Sequence, residues 1–417
     1  EGNMTDIAGT VPVIAVDKVQ AVALAVCTYY FGVWLKGKVG VLSRYSIPSP
    51  VVGGMSFAIV VSFLEYFNIV KVQIDSTLQT VLMLGFFTTI GLMASLRVVK
   101  DGGRLLLGFL LAVTVLVFLQ NGMGMAIAEA MGFDKHYGIL AGSVSMMGGL
   151  GTAAAFGPYF EETYGITGGT AVAVTAATFG MVAALLIGGP FGEWCIRRYK
   201  VKTPDEVQQP EPELHLPDDM DTDITEQHAS AKPNFTNEIM RAVSVTALAM
   251  GLGTIVSNFL GHYITLPAYI GAMIIATIIR NVGDFSGMYK VEGKGLNAVA
   301  DITLVLFVTM AINNLKLHEL VHLALPLVVI LACQTILMLI YAWTVLFTAF
   351  GRSYDAVMLS VGGIGFSMGA TANGLANMQA ISEKYGSSPR AWLIVSVVGA
   401  FLIDLINAVV ITWFGTL

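Results

Sequence analysis

The chain is written twice. Tyr45-Ser-Ile-Pro-Ser-Pro-Val-Val-Gly-Gly54 opens one apolar run, and Ile264-Thr-Leu-Pro-Ala-Tyr-Ile-Gly-Ala-Met273 opens another about 219 residues later. Phe87-Thr-Thr-Ile-Gly91 recurs as Phe307-Val-Thr-Met-Ala311, Gln120 as Gln334 and Tyr137 as Tyr354. Each copy carries a Gly-Gly-x-Gly cluster, Gly148 to Gly151 and Gly362 to Gly365. A Glu-x-Tyr-Gly turn follows each, Glu162 to Gly165 and Glu383 to Gly386. Gly180 and Gly399 fall in the two closing runs. Two related apolar halves, each interrupted by a Gly-rich segment at the same place, are the sequence mark of a secondary transporter built from repeats.

Composition puts the chain in lipid. Hydrophobic residues make up 55% and charged residues 12%, and the mean hydropathy is +0.74. Apolar runs long enough to span a bilayer are expected near 16–35, 51–70, 78–96, 104–131, 167–190, 239–260, 264–280, 296–315, 320–350 and 389–415. No cleavable signal peptide is expected, because the first residues lack a basic region. With the amino terminus outside and alternating spans, 18 of the 22 Lys and Arg residues fall inside. Only Lys18, Lys71, Lys135 and Lys316 remain outside. The positive-inside rule therefore predicts both termini outside and five spans per half, the second half inserted with opposite polarity.

The domain reading follows: a first inverted repeat over 1–200, a cytoplasmic linker over 201–237 and a second inverted repeat over 238–417. The linker holds Pro204, Pro210, Pro212, Pro217 and Pro233 among acidic and amide residues, too little apolar surface to order itself. Cys27, Cys195 and Cys333 show neither a disulfide pattern nor metal-ligand spacing. His318 and His322 are four apart but have no third ligand. No histidine stands beside a nucleophile at membrane depth, which argues against a hydrolase. The chain reads as no enzyme, with no organic cofactor and no nucleic-acid partner.

Two stretches are too rich in Gly, Ala and Ser for ordinary spans, about 138–165 and 355–386. A helix broken at Gly frees backbone N–H and C=O groups, and at membrane depth these survive only in protein or beside a water-filled cavity. Each stretch is expected to form a re-entrant hairpin, its tip near the midplane. A half-helix N-terminus there attracts an anion, and carbonyls and hydroxyls at the same break suit Na⁺. Gly149, Gly151, Thr152, Ser367, Gly369, Thr371 and Asn373 are the candidate substrate-binding residues. Asp404 lies deep in the last run, with Asn407 three residues on. A carboxylate at that depth is a functional candidate by default. Asp404, Asn407, Ser145 and Thr88 are the candidate ion-coupling residues. Gln120, Asn121 and Gln334 either line the path or bond between helices. Asp301 reads as a helix N-cap.

Taken together the motifs resemble the bacterial sodium/glutamate symporter family, distantly related to sodium/citrate carriers. The resemblance is carried by Phe86-Phe-Thr-Thr-Ile-Gly-Leu92, Ala176-Ala-Thr-Phe-Gly180, Gly369-Ala-Thr371, Ala376-Asn-Met-Gln-Ala-Ile381 and Gly399-Ala-Phe-Leu-Ile-Asp404. It implies sodium-driven uptake of L-glutamate across the bacterial inner membrane. It also implies an all-α polytopic fold of two inverted five-helix repeats with re-entrant loops, and a homodimer whose transport domain slides against a scaffold domain. Leu150 stands where the family typically has a polar residue, and Ala372 and Asn373 where it has a Pro-Thr pair. These departures keep open a proton- or sodium-coupled carrier of another small dicarboxylate or acidic amino acid.

Overall fold

The computed structural model describes residues 12–40, 42, 47–97, 103–204, 235–260, 268–287, 289, 293–317 and 322–417. Most of the linker, the residues Tyr45, Ser46 and Ile264 to Pro267 of the opening motifs, and His215, His228, His262 and His318 lie outside the described residues.

The described chain is almost wholly helical. The first half runs through α1 (Lys18–Lys38), α2 (Ser49–Tyr66), α3 (Thr77–Met93), α4 (Gly103–Ala130), the short α5 (Lys135–Ile139), α6 (Gly149–Tyr164) and α7 (Gly169–Tyr199). The second runs through α8 (Phe235–Leu260), α9 (Ala268–Ser286), α10 (Lys294–Asn313), α11 (Ala324–Tyr341), α12 (Tyr354–Ser367), α13 (Thr371–Tyr385), α14 (Pro389–Val397) and α15 (Ile403–Gly415). Two short strands, β1 (Val13–Val16) and β2 (Lys71–Ile74), pair in parallel beside the start of α1 and the end of α2.

Seven of these helices, α1, α2, α4, α7, α8, α10 and α11 with its extension, are long and apolar enough to cross a membrane. At 1.5 Å per residue, the 28 residues of α4 reach about 42 Å, well beyond a hydrocarbon core of about 30 Å. Leu325, Leu111 and Ile255 are 70%, 66% and 66% exposed, and large apolar side chains are exposed along most of these helices, far more apolar surface than a soluble protein leaves in water. The chain is a multi-pass membrane protein.

The structure corrects several of the expected spans. The apolar helices α3 and α15 have 17 and 13 residues, and α15 continues from α14 through a widened turn. The expected 264–280 run is α9, which continues to Ser286 and carries the Arg280–Asp284 ion pair, with both side chains largely buried. The last run is not one regular helix. It is interrupted by a widened turn at Val398–Leu402, so Asp404 lies at the start of α15 rather than inside an unbroken span. α10 begins at Lys294 with Gly293 at its N-cap, so Asp301 is an exposed residue two turns in and not a cap.

The helices pack as two groups, each drawn from both halves. α1, α2, α3, α8, α9 and α10 pack on one another, and α4 to α7 pack with α11 to α15. In the first group, Asn281 donates to Ala94 O at 2.9 Å and accepts from Leu96 N at 2.8 Å. Ser95 Oγ donates to Asp284 at 2.5 Å. Those bonds satisfy the frayed end of α3. Between the groups, α6 meets α10, the widened turn meets α3, and α15 meets α3 and α9.

The second group holds both broken segments, and the repeated tyrosines close them. Tyr137 OH donates to Thr167 O at 2.6 Å, and Tyr354 OH donates to Gly386 O at 2.5 Å. Both Glu-x-Tyr-Gly turns end a helix on a glycine of positive φ, Gly165 (+68°) and Gly386 (+94°), a conformation that only Gly adopts without strain. At the base of the first segment, burial favours protonation of the Asp134 carboxyl. Hydrogen bonds from the His136 backbone and ring outweigh it and hold the carboxyl below its ordinary value.

Candidate functional site

In the first segment the chain leaves helical geometry at Gly142 (φ −88°, ψ −129°), and α6 starts at Gly149 with φ +62°. In the second, α12 ends at Ser367 and α13 starts at Thr371, with Ala370 extended. The two tips touch: a Cβ on Gly149 would lie 2.5 Å from Gly369 O. A Cβ on Gly148 would strike the Thr152 side chain at 2.4 Å, and one on Gly369 would strike Asn373 Nδ2 at 2.6 Å. A tip glycine facing a polar residue four positions on thus recurs in both halves.

The two Gly-Gly-x-Gly motifs do not play equal parts. Gly148 to Gly151 form the first break and the first turn of α6. Gly362 to Gly365 lie inside α12, before the second break. A Cβ on Gly365 would sit 2.2 Å from the Gly374 backbone, and one on Gly362 would sit 2.8 Å from Met378 Sδ. The second motif therefore serves close packing of α12 on α13 and α14, and the second break is Met368-Gly369-Ala370.

A cavity of about 290 Å³ opens at these tips, at the small end of ligand sites. Gly149, Gly151, Thr152, Gly369 and Thr371 line it together with Asp404. The other helix group closes it with Pro48, Pro50, Phe86, Ile90, Leu304 and Val308, so the cavity lies in the seam between the two groups. The first turns of α6 and α13 both open on it. Among the described residues, Asp404 is its one charged lining residue. The side chain is half-buried, and among the described residues it makes no hydrogen bond and no ion pair.

The remaining candidates stand behind the lining. Asn373 Nδ2 donates to Met181 O at 3.0 Å, and Asn407 Nδ2 donates to Ser143 O at 3.1 Å. Ser145 Oγ reaches Leu140 O at 2.5 Å and Ala173 O at 2.7 Å, and Thr88 Oγ1 donates to Leu84 O at 2.6 Å. Ser367 is fully buried, and its carbonyl accepts from Gln120 Nε2 at 2.9 Å. Thr371, in the lining, also donates to Gly399 O at 2.5 Å, a carbonyl in the widened turn where the regular helical ladder is interrupted.

Gln120, Asn121 and Gln334 bond between segments rather than line the cavity. Asn121 Oδ1 accepts from Ser143 N at 2.9 Å, and Gln334 Nε2 donates to Gln120 O at 2.7 Å. The lining residues missed in the sequence are the apolar ones, Phe86, Ile90, Leu304 and Val308. They sit in apolar runs whose pattern marks them only as membrane-embedded.

The sequence profile of the sodium/glutamate symporter family matches residues 14–387. The chain belongs to the sodium/glutamate symporter family. The sodium/glutamate symporter of Escherichia coli strain K12 is 37% identical over 400 residues, 95% of this chain and 96% of that protein. That of Haemophilus influenzae is 35% identical over 395 residues, 93% of this chain and 95% of that protein. The similarity to these relatives spans both helix groups and both broken segments.

Proposed function

We propose that this chain is a secondary transporter that carries L-glutamate into the cell together with Na⁺. One observation carries the reading: two half-helix N-termini and one carboxylate, which among the described residues is unpaired and is the only charged side chain of the lining, converge on a single cavity. A helix N-terminus presents free N–H donors and positive partial charge. The two carboxylates of glutamate fit the starts of α6 and α13, near Gly149, Gly151, Thr152 and Thr371, and its ammonium fits Asp404. A dicarboxylate without an ammonium would meet the Asp404 charge unpaired, which favours an acidic amino acid.

Na⁺ is read as binding to oxygens at the hairpin breaks, among Asp404, Asn407, Ser145 and Thr88. Asn407 Oδ1 and Ser367 Oγ support that placement, since both are buried without a hydrogen-bond partner. Sodium bound there would order the tips and raise substrate affinity, and the coupling is reciprocal by linkage.

Alternating access is read as the second helix group, with both hairpins, moving past the first as transport domain past scaffold. The position of the cavity in the seam supports this. The segments at the breaks are read as re-entrant hairpins of two inverted repeats, with both termini outside and the linker cytoplasmic.

The test is uptake of labelled glutamate into proteoliposomes, with and without an inward sodium gradient at equal pH on both sides. Sodium-dependent accumulation supports the proposal; no dependence on sodium, with accumulation appearing when a pH gradient is imposed in its place, refutes the coupling ion.

A further inference from the structure

Far from the cavity lining in sequence, one end of the second helix group carries basic side chains that nothing above uses. Arg198, Lys200, Lys202 and Arg352 are exposed, and none has an acidic partner among the described residues. Lys200 (φ +48°) is the left-handed C-cap of α7, and Arg352 (φ +54°) lies in the turn before α12. The Arg198 and Arg352 guanidiniums converge on the ring of Tyr199, at 5.9 and 5.3 Å from its centroid. Tyr199 OH accepts from Trp343 Nε1 at 2.8 Å. Trp194 packs edge-on against both Tyr199 and Trp343, at 6.0 and 6.3 Å.

An open groove of about 700 Å³ runs beside this cluster, lined by Gly189, Pro190, Glu193, Trp194, Arg197 and Arg198. A Cβ on Gly189 would meet nothing within 4 Å, so the groove is unfilled there. Its one carboxylate is already matched: Glu193 pairs with Lys384 at 2.6 Å and with Arg197 at 3.3 Å. The surplus charge is positive. Trp194 and Trp343, 45% and 42% exposed, have the amphipathic rings that settle at the headgroup level of a bilayer.

We propose that this groove binds an anionic phospholipid. Its phosphodiester sits at the Arg198 and Arg352 guanidiniums, and an acyl chain lies along Gly189 and Pro190 beside Trp194. Guanidinium forks suit phosphate oxygens, and basic pockets between membrane helices are where anionic headgroups are held. An inorganic phosphate shares the charge but has nothing to place in the apolar groove.

The test counts lipid bound to the full-length detergent-solubilised protein by native mass spectrometry, titrating phosphatidylglycerol or phosphatidylcholine. Saturable binding of phosphatidylglycerol is expected, with a preference of about tenfold or more, and with no displacement by millimolar inorganic phosphate. R198Q and R352Q should each weaken the preference, R198Q/R352Q should erase it, and K71Q, in β2, should leave it intact. Equal or unsaturable binding of the two lipids, displacement by phosphate, or a preference surviving in R198Q/R352Q overturns the proposal.

Discussion

Gln120 Nε2 donates to the carbonyl of Ser367 at 2.9 Å, across 247 positions of chain. The next residue, Asn121, accepts from Ser143 N at 2.9 Å. Two successive residues of α4 thus hold both breaks, one in each half. A break leaves backbone groups without helical partners, and buried groups of that kind cost free energy unless another part of the chain satisfies them. α4 supplies the partners, and Gln334 of α11 in turn bonds Gln120 O at 2.7 Å.

Replacing Gln120 with Leu keeps the volume and removes the donor. Leaving the buried Ser367 carbonyl unpaired should cost about 1–3 kcal/mol. Thermal unfolding of the purified protein should show a lower Tm, by about 2–4 °C per kcal/mol. An unchanged Tm would show that the bond contributes nothing to holding the second break.

Gly149→Ala tests the contact between the tips. The left-handed φ of +62° alone costs a residue with a Cβ about 1–2 kcal/mol, and the methyl would press on Gly369 O. Glutamate uptake should fall sharply. Gly122→Ala, whose Cβ meets nothing within 4 Å, should instead leave uptake unchanged and add up to about 1 kcal/mol of helix propensity. Equal behaviour of the two variants would remove the tip contact from the mechanism.

Asp404→Asn removes the one charge that the described residues place in the cavity lining while keeping its shape. A charge-assisted contact contributes about 1.5–3 kcal/mol, so glutamate affinity should drop by about 10- to 100-fold with membrane insertion intact. Binding by calorimetry and uptake in proteoliposomes both read this. Wild-type affinity in the variant would rule out an ammonium partner at Asp404.

Asp284→Asn should be more damaging to stability than to transport affinity. It strips the carboxylate from Arg280, paired at 3.0 Å with both side chains largely buried, and breaking such a pair costs about 3–5 kcal/mol. The change lies at the junction of α3 and α9 and away from the cavity lining. A large fall in Tm with glutamate KM near wild type is the expected pattern.

Local chemistry wrote part of this protein plainly. Membrane residence and the family are carried by apolar run length and by motif residues, several of which recur at a steady offset. The turns at Gly165 and Gly386 were legible because positive φ singles out glycine whatever surrounds it. The second Gly-Gly-x-Gly was misleading for the same local reason: glycines that let α12 approach α13 look, in sequence, like glycines that break a helix.

Only the tertiary structure decided which polar groups face the cavity. Thr371, Asp404 and Thr152 reach it, while Ser145, Thr88 and Asn407 turn to backbone carbonyls. Those side chains are alike in type and in apolar context. What separates them is where helices from distant parts of the chain dock, and Phe86, Leu304 and Val308 close the cavity from the other group. Periodicity along one helix carries little record of that docking, because in a membrane helix the faces that meet lipid and most of those that meet protein are alike apolar.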